Sequence, residues 1–171
     1  MRDSVQPTVL MVDFFTRYHR ISGGVDVRSR KLADQLEDRT TDFLELEGAY
    51  ISRVEHPGDI IASHTVSVLR KENVLVAVVA REEDGLTSGE SYGSYLGPHF
   101  QTAFLIVSDF EVQGRLRLWG KRHLRSVLTS GKMFVTVQDG TMRYSGHPEV
   151  EFTGAIILVN RARVEAIWKD G

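Results

Sequence analysis

Histidine is the most versatile chemical group in this chain, because imidazole both titrates near neutral pH and ligates metals. Of the six histidines, His56 and His147 each precede a proline, Pro57 and Pro148, and stand 91 residues apart. A metal shared by the two His-Pro pairs is the sharpest site the sequence offers, and it would need carboxylates to complete it. The bland alternative is loop punctuation, since a residue before proline is held extended. His19, His64, His99 and His123 show no HExxH-like spacing. The absence of cysteine removes disulfides, thiolate metal sites and thiol nucleophiles, and fits a reducing compartment. No GxSxG, P-loop or strand-borne GxGxxG occurs, and no spacing pairs a general acid with a base. The sequence therefore predicts neither an enzyme nor a cofactor.

A second constellation is basic. Arg115 and Arg117 lie on the polar face of an expected strand, Lys121, Arg122 and Arg125 on an expected helix, and Arg161 and Arg163 in an expected turn. Arg161 and Arg163 could contact phosphates while Tyr144 or Phe110 stacks a base, the mode by which single-stranded RNA is held. The competing reading is a solvated face balanced by Asp109, Glu111, Glu149 and Glu151. Large aromatics form a third set. Trp119 and Trp168 end expected strands and, with Tyr92 and Tyr95, are candidates for an interface.

These residues recur within a repeated frame. Sliding the chain by 91 residues places Gly23 on Gly114, Phe43-Leu44-Glu45-Leu46 on Phe134-Val135-Thr136-Val137, and His56-Pro57 on His147-Pro148. The same slide sets Val66, Val68 and Arg70 on Ile157, Val159 and Arg161, and one inserted residue aligns Leu32 and Leu36 with Leu124 and Leu128. The ordered match predicts a tandem duplication: residues 1–82, a Gly-, Ser- and Tyr-rich linker over 83–99, and residues 100–171.

Each unit reads as mostly β. Strands are expected over 9–15 and 100–107, then over 18–27 and 110–119. In the latter, Val112, Gly114, Leu116 and Leu118 alternate with polar residues. Gly23 and Gly114 sit mid-strand, where glycine marks a bulge or bend. A short helix follows, with Ser29 as its N-cap and Leu32 and Leu36 on one face; its counterpart lies in 121–129. Asp34 is matched with Arg30 as an i,i+4 pair. Third strands are expected over 42–50 and 132–137. Each unit ends in strand, tight polar turn and strand, with the turns at 70–73 and 160–163.

That closing pattern is similar to the one that closes SH3-like and Sm-like barrels. The resemblance implies a tandem pair of small β-barrels, each with one short helix, and makes the closing turns part of an RNA site. Residues 8–80 also resemble a family of small bacterial domains of unknown function. The likeness rests on Arg17-Tyr18-His19-Arg20-Ile21-Ser22-Gly23, on Arg30-Lys31-Leu32-Ala33-Asp34-Gln35-Leu36 and on Asp42-Phe43-Leu44-Glu45-Leu46-Glu47-Gly48-Ala49. It implies no activity.

Apolar residues make up 42% of the chain and charged residues 26%, ordinary globular values. Residues 1–85 hold 11 basic and 15 acidic side chains, and the remainder 10 and 8, so net charges of −4 and +2 face each other in sequence. No apolar run approaches the ~18 residues of a membrane span, which predicts a soluble, cytoplasmic protein. Two units with thin cores gain by burial against a partner. The expected function is a non-catalytic, self-associating module, a homo-oligomer built by head-to-tail or crosswise pairing. The alternative is an Sm-like RNA-binding regulator acting through the basic face.

Overall fold

A computed structural model describes residues 9–80, 98–119 and 123–169, the side chains of Pro98 and Trp119 excepted. These residues are mostly β, with two short α-helices among them. The elements are β1 (Val9–Phe15), β2 (His19–Asp26), α1 (Leu32–Glu37), β3 (Phe43–Arg53), β4 (His56–Arg70) and β5 (Val76–Val79), then β6 (Pro98–Val107), β7 (Phe110–Trp119), α2 (Leu124–Thr129), β8 (Phe134–Tyr144), β9 (His147–Asn160) and β10 (Val164–Lys169). Single 3-10 turns, Lys71–Asn73 and Arg161–Arg163, join β4 to β5 and β9 to β10.

The strands form one open antiparallel sheet of ten, in the order β10-β6-β7-β8-β9-β5-β1-β2-β3-β4. The expectation of two closed barrels is corrected here. A barrel would need β5 to return to β4, and β10 to β9. Instead the second edge of β5 pairs with β9, from Val76↔Val159 to Val79↔Ile156. That ladder uses the edges both closures would require. The strand order is β5-β1-β2-β3-β4 in the first half and β10-β6-β7-β8-β9 in the second.

Period-two alternation explains the packing at the join. Val76 and Val78 of β5, with Ile157 and Val159 of β9, enter one core with Leu105, Phe110, Val112, Leu116 and Met142. Ala77 and Val79, with Ile156 and Leu158, enter the other with Val12, Phe14, Leu32, Leu36 and Leu46. Phe134 also crosses into this first-half core, while Phe15 and Val54 cross into the second-half core. Each core thus draws side chains from both halves. The all-apolar run of β5 is buried on both faces, which is why it reads as a continuous hydrophobic stretch.

Local details differ from sequence expectation where tertiary contacts intervene. β4 and β9 begin at His56 and His147, directly after two-residue turns, and run far longer than expected. The prolines fit because they take the second place in a strand, not its middle. The N-cap of α1 is Lys31, not Ser29, and it makes no side-chain cap bond. Gln35 Nε2 ties that end instead, donating to Asp26 O at 2.7 Å and Arg30 O at 2.9 Å. Arg30 pairs with Asp38 at 2.8 Å, reaching past the helix.

The mid-strand glycines do mark bulges. Register shifts fall between Gly23 and Gly24 and between Gln113 and Arg115. The facing positions, Gly48 and Asp139, have positive φ of 68° and 48°, and short polar Asp is among the side chains that tolerate this region. A Cβ on Gly114 would lie 2.5 Å from Val137 Cγ1 and 2.9 Å from the Gln138 carbonyl oxygen. Gly114→Ala is therefore expected to lower stability by about 1–3 kcal/mol. Gly131→Ala, with nothing near its Cβ, should be near neutral; urea denaturation of both variants checks this.

Candidate assembly surface

The join between the halves is held by polar as well as apolar contacts. The Glu37 carboxylate, at the end of α1, accepts from Met133 N at 2.8 Å and Phe134 N at 2.9 Å. Arg39 donates to the Gly131 carbonyl. Asn160 is buried; its backbone N–H bonds Leu75 O at 2.8 Å and its Nδ2 bonds Val74 O at 2.9 Å. A carboxylate accepting two backbone amides is a strong, charge-assisted contact.

Matching cations finish the two helices. Lys71, buried at the first position of its 3-10 turn, donates from Nζ to Gln35 O at 2.7 Å, Thr41 Oγ1 at 2.8 Å and Asp38 O at 3.0 Å. Arg161, first in the other 3-10 turn, donates to Lys132 O at 2.6 Å and Leu128 O at 2.8 Å. Each supplies donors to carbonyls at the end of a helix or just beyond it. Burial pushes the Lys71 ammonium below its usual range. Bonds from Thr40 and Arg30 hold the Asp38 carboxyl well below the usual carboxylate range.

Beyond the join, the sheet ends in an uncovered surface. β4 is an edge strand of 15 residues on which Ile60, Ile61, Val66 and Val68 are exposed. Phe43 opposes Arg70, Glu45 opposes Val68 and Glu47 opposes Val66 across β3–β4, so the six share one face. Arg70 lies over the Phe43 ring at 4.6 Å. The opposite face is buried through Leu44, Leu46 and Leu69.

Ladder positions show what differs between the halves. Phe43↔Arg70 opens the β3–β4 ladder as Phe134↔Asn160 opens β8–β9, which sets Val68 at the place of Leu158 and Val66 at that of Ile156. The 91-residue slide had paired these valines with Ile157 and Val159. In the ladders the offset is one less, and a one-residue slip reverses the face of every side chain. Phe43, Val66 and Val68 are 47%, 60% and 63% exposed; Phe134, Ile156 and Leu158 are 4%, 0% and 1% exposed.

A cleft of about 640 Å³ lies at the other end of the sheet, beside β10. His99, His123, Arg125 and Lys169 line it over Leu118 and Leu124. α2 has no buried residue, whereas α1 buries Leu32, Ala33 and Leu36.

The residues singled out from sequence fall into several settings. Arg125 lines this cleft. Arg115 is paired with Asp139 beside the bulge and sits over Phe100 at 4.7 Å. Arg117 follows it on the same face of β7. Arg161 is committed to the end of α2, and Arg163 is exposed. Lys121, Arg122, Tyr92 and Tyr95 lie outside the described residues, as does the Trp119 side chain. Trp168 is half-exposed on the β10 edge and meets Phe104 edge-to-face at 5.3 Å. Phe110 is buried, and Tyr144 stacks on His147, which has Glu149 Oε1 3.2 Å from Nδ1. His56 is exposed at the start of β4. No group of three or more His, Asp or Glu that could hold a metal occurs among the described residues. None of their helices is long and apolar enough to cross a membrane.

Sequence reasoning missed the β4 face because only the ladder register reveals which valines are uncovered. Comparison with protein-family models, curated proteins and solved structures finds no match for the chain.

Lys71→Ala is expected to cost about 1–3 kcal/mol by removing its donors from two part-buried carbonyls and the Thr41 hydroxyl, measured by urea midpoint. Asp38 has its folded pKa below 3.8, so it stabilises the fold above that range and the contribution is lost as pH falls. Asp38→Asn should therefore be less stable near neutrality, and its urea midpoint should fall less than that of the unaltered chain between about pH 5 and about pH 2.

Proposed function

We propose that the protein is a non-catalytic self-association module built from two copies of one β unit, and that its open sheet edges are its working surfaces. One observation carries the reading: Val66 and Val68, on a long edge strand, are exposed at places where the other half buries Ile156 and Leu158. Stable monomers blunt such edges with charge, proline or short length. Only Asp59 and Arg70 are formally charged among the 15 residues of β4, and Pro57 stands at its far end. Exposed apolar clusters of this kind mark association sites. The duplication is supported by the shared strand order, the matching bulges and the paired cation caps at Lys71 and Arg161.

RNA binding has one observation in its favour, the cleft that Arg125 and Lys169 line together with His99 and His123. Against it, Arg115 and Arg161, two cations of the expected basic face, are engaged within the fold.

Size-exclusion chromatography with light scattering, run at low and moderate salt with absorbance at 260 and 280 nm, tests the reading. A discrete oligomer free of nucleic acid, and persisting at moderate salt, is expected from an apolar contact. A monomer at every concentration overturns the proposal; a monomer carrying nucleic acid that salt removes replaces it with the RNA reading.

A further inference from the structure

The internal join and the two open ends of the sheet are related by position. β9 pairs with β5 inside the chain, while the strands at the corresponding places, β4 and β10, form the two edges. We infer that β4 of one chain pairs with β10 of a second copy, in the register of the β9–β5 ladder, and that the chain assembles head to tail. The inference rests on the self-association reading and specifies its partner and geometry.

Three observations converge. First, the donor surface is preformed: Phe43, Val66 and Val68 are exposed where Phe134, Ile156 and Leu158 enter the first-half core. Second, the acceptor is incomplete. The cleft residues Gln101, Leu124, Arg125 and Lys169 stand where Leu10, Leu32, Ala33 and Val79 stand in the first half, and those four belong to the core that Phe134, Ile156 and Leu158 complete. α2 lacks the cover that α1 receives across the join, and the cleft is the space left. Third, charge is complementary: Glu45 and Glu47 flank the exposed valines, and Arg125 and Lys169 line the cleft.

Transferring the internal register, Ala77↔Leu158 becomes Ile167 opposite Val68 of the next copy, and Val78↔Ile157 becomes Trp168 opposite Ser67. One difference sets the strength. Glu37, which clamps the Met133 and Phe134 amides, has Thr129 at its place at the end of α2. The intermolecular join therefore lacks a carboxylate clamp and should be weaker and concentration-dependent. A contact between unlike surfaces continues until it closes into a ring or runs on as a filament.

Two edge variants test the contact in the full chain by light scattering. Val68→Arg blocks the β4 edge; the double variant Arg125→Glu with Lys169→Glu blocks the β10 side. All three positions lie outside the buried cores, and circular dichroism confirms folding. Each variant alone should be monomeric, with association weakened by about ten-fold or more. An equimolar mixture should form a heterodimer and stop, since one good edge of each kind remains. The chain has no cysteine, so mixed Ser67→Cys and Trp168→Cys chains, and mixed Val68→Cys and Ile167→Cys chains, read the register. Adjacent antiparallel pairs alternate in separation, so one mixture should oxidise to a disulfide dimer. If the unaltered chain is oligomeric but the mixture gives no heterodimer and neither cysteine pair crosslinks, the head-to-tail join is wrong while self-association stands. A monomeric unaltered chain overturns both.

Discussion

Val76, Ala77, Val78 and Val79 meet Val159, Leu158, Ile157 and Ile156 across one antiparallel ladder, and all eight side chains are buried. Over these eight positions neither strand has a face left for solvent. Because successive side chains alternate, the ladder feeds both cores at once, and neither core is complete with residues of one half. Burying a large aliphatic side chain is worth about 1.5–3 kcal/mol, so Ile156 and Leu158 alone bring several kcal/mol to a core whose helix belongs to the other half. This also explains why the sheet is open. The edges that would close two separate barrels are spent on joining the two halves into one sheet.

Corresponding positions meet unequal fates as a result. β9 lies against β5 and is covered on both faces near its end; β4 has β3 on one side, as β9 has β8, and no described strand on the other. The difference does not come from residue type, since Val66 and Val68 are as apolar as their buried counterparts. It comes from there being one internal join for two pairs of edges. The polar anchors follow the same logic. Lys71 and Arg161 finish their own helices alike, but only α1 ends in a carboxylate that reaches across to the other half.

Much of this was legible from residues in order. The two bulges announce themselves through Gly23 and Gly114, and the turns at 70–73 and 160–163 fall where polar breaks interrupt apolar runs. The mostly-β class and both short helices follow from alternation and from the Leu32/Leu36 and Leu124/Leu128 spacings. What escaped was non-local. β5 reads as a short closing strand, and nothing in Val-Ala-Val-Val says that its second edge meets a segment some 80 residues away. The extended half of β4 was hidden because Asp59, His64 and Thr65 break the apolar pattern, and a strand edge need not bury them. The β4 surface was not foreseen, and the 91-residue slide set Val66 and Val68 against Ile157 and Val159, one residue away from the ladder positions, enough to exchange one face for the other. For Arg161 the sequence shows a charge but not the carbonyls it serves.

The distance along the chain between β5 and β9 bears on how the molecule is made. During synthesis the first half is finished when residue 79 has emerged, yet the outer edge of β5 and part of its core wait for residues 147–160. Closing so long a loop is slow, and an unpaired strand edge is the surface on which nascent chains aggregate. In the interval β5 offers its edge to any chain nearby, including an emerging neighbour whose own β9 is already complete. The same ladder that unites the halves of one polypeptide is thus a place where two polypeptides can exchange halves before either is finished.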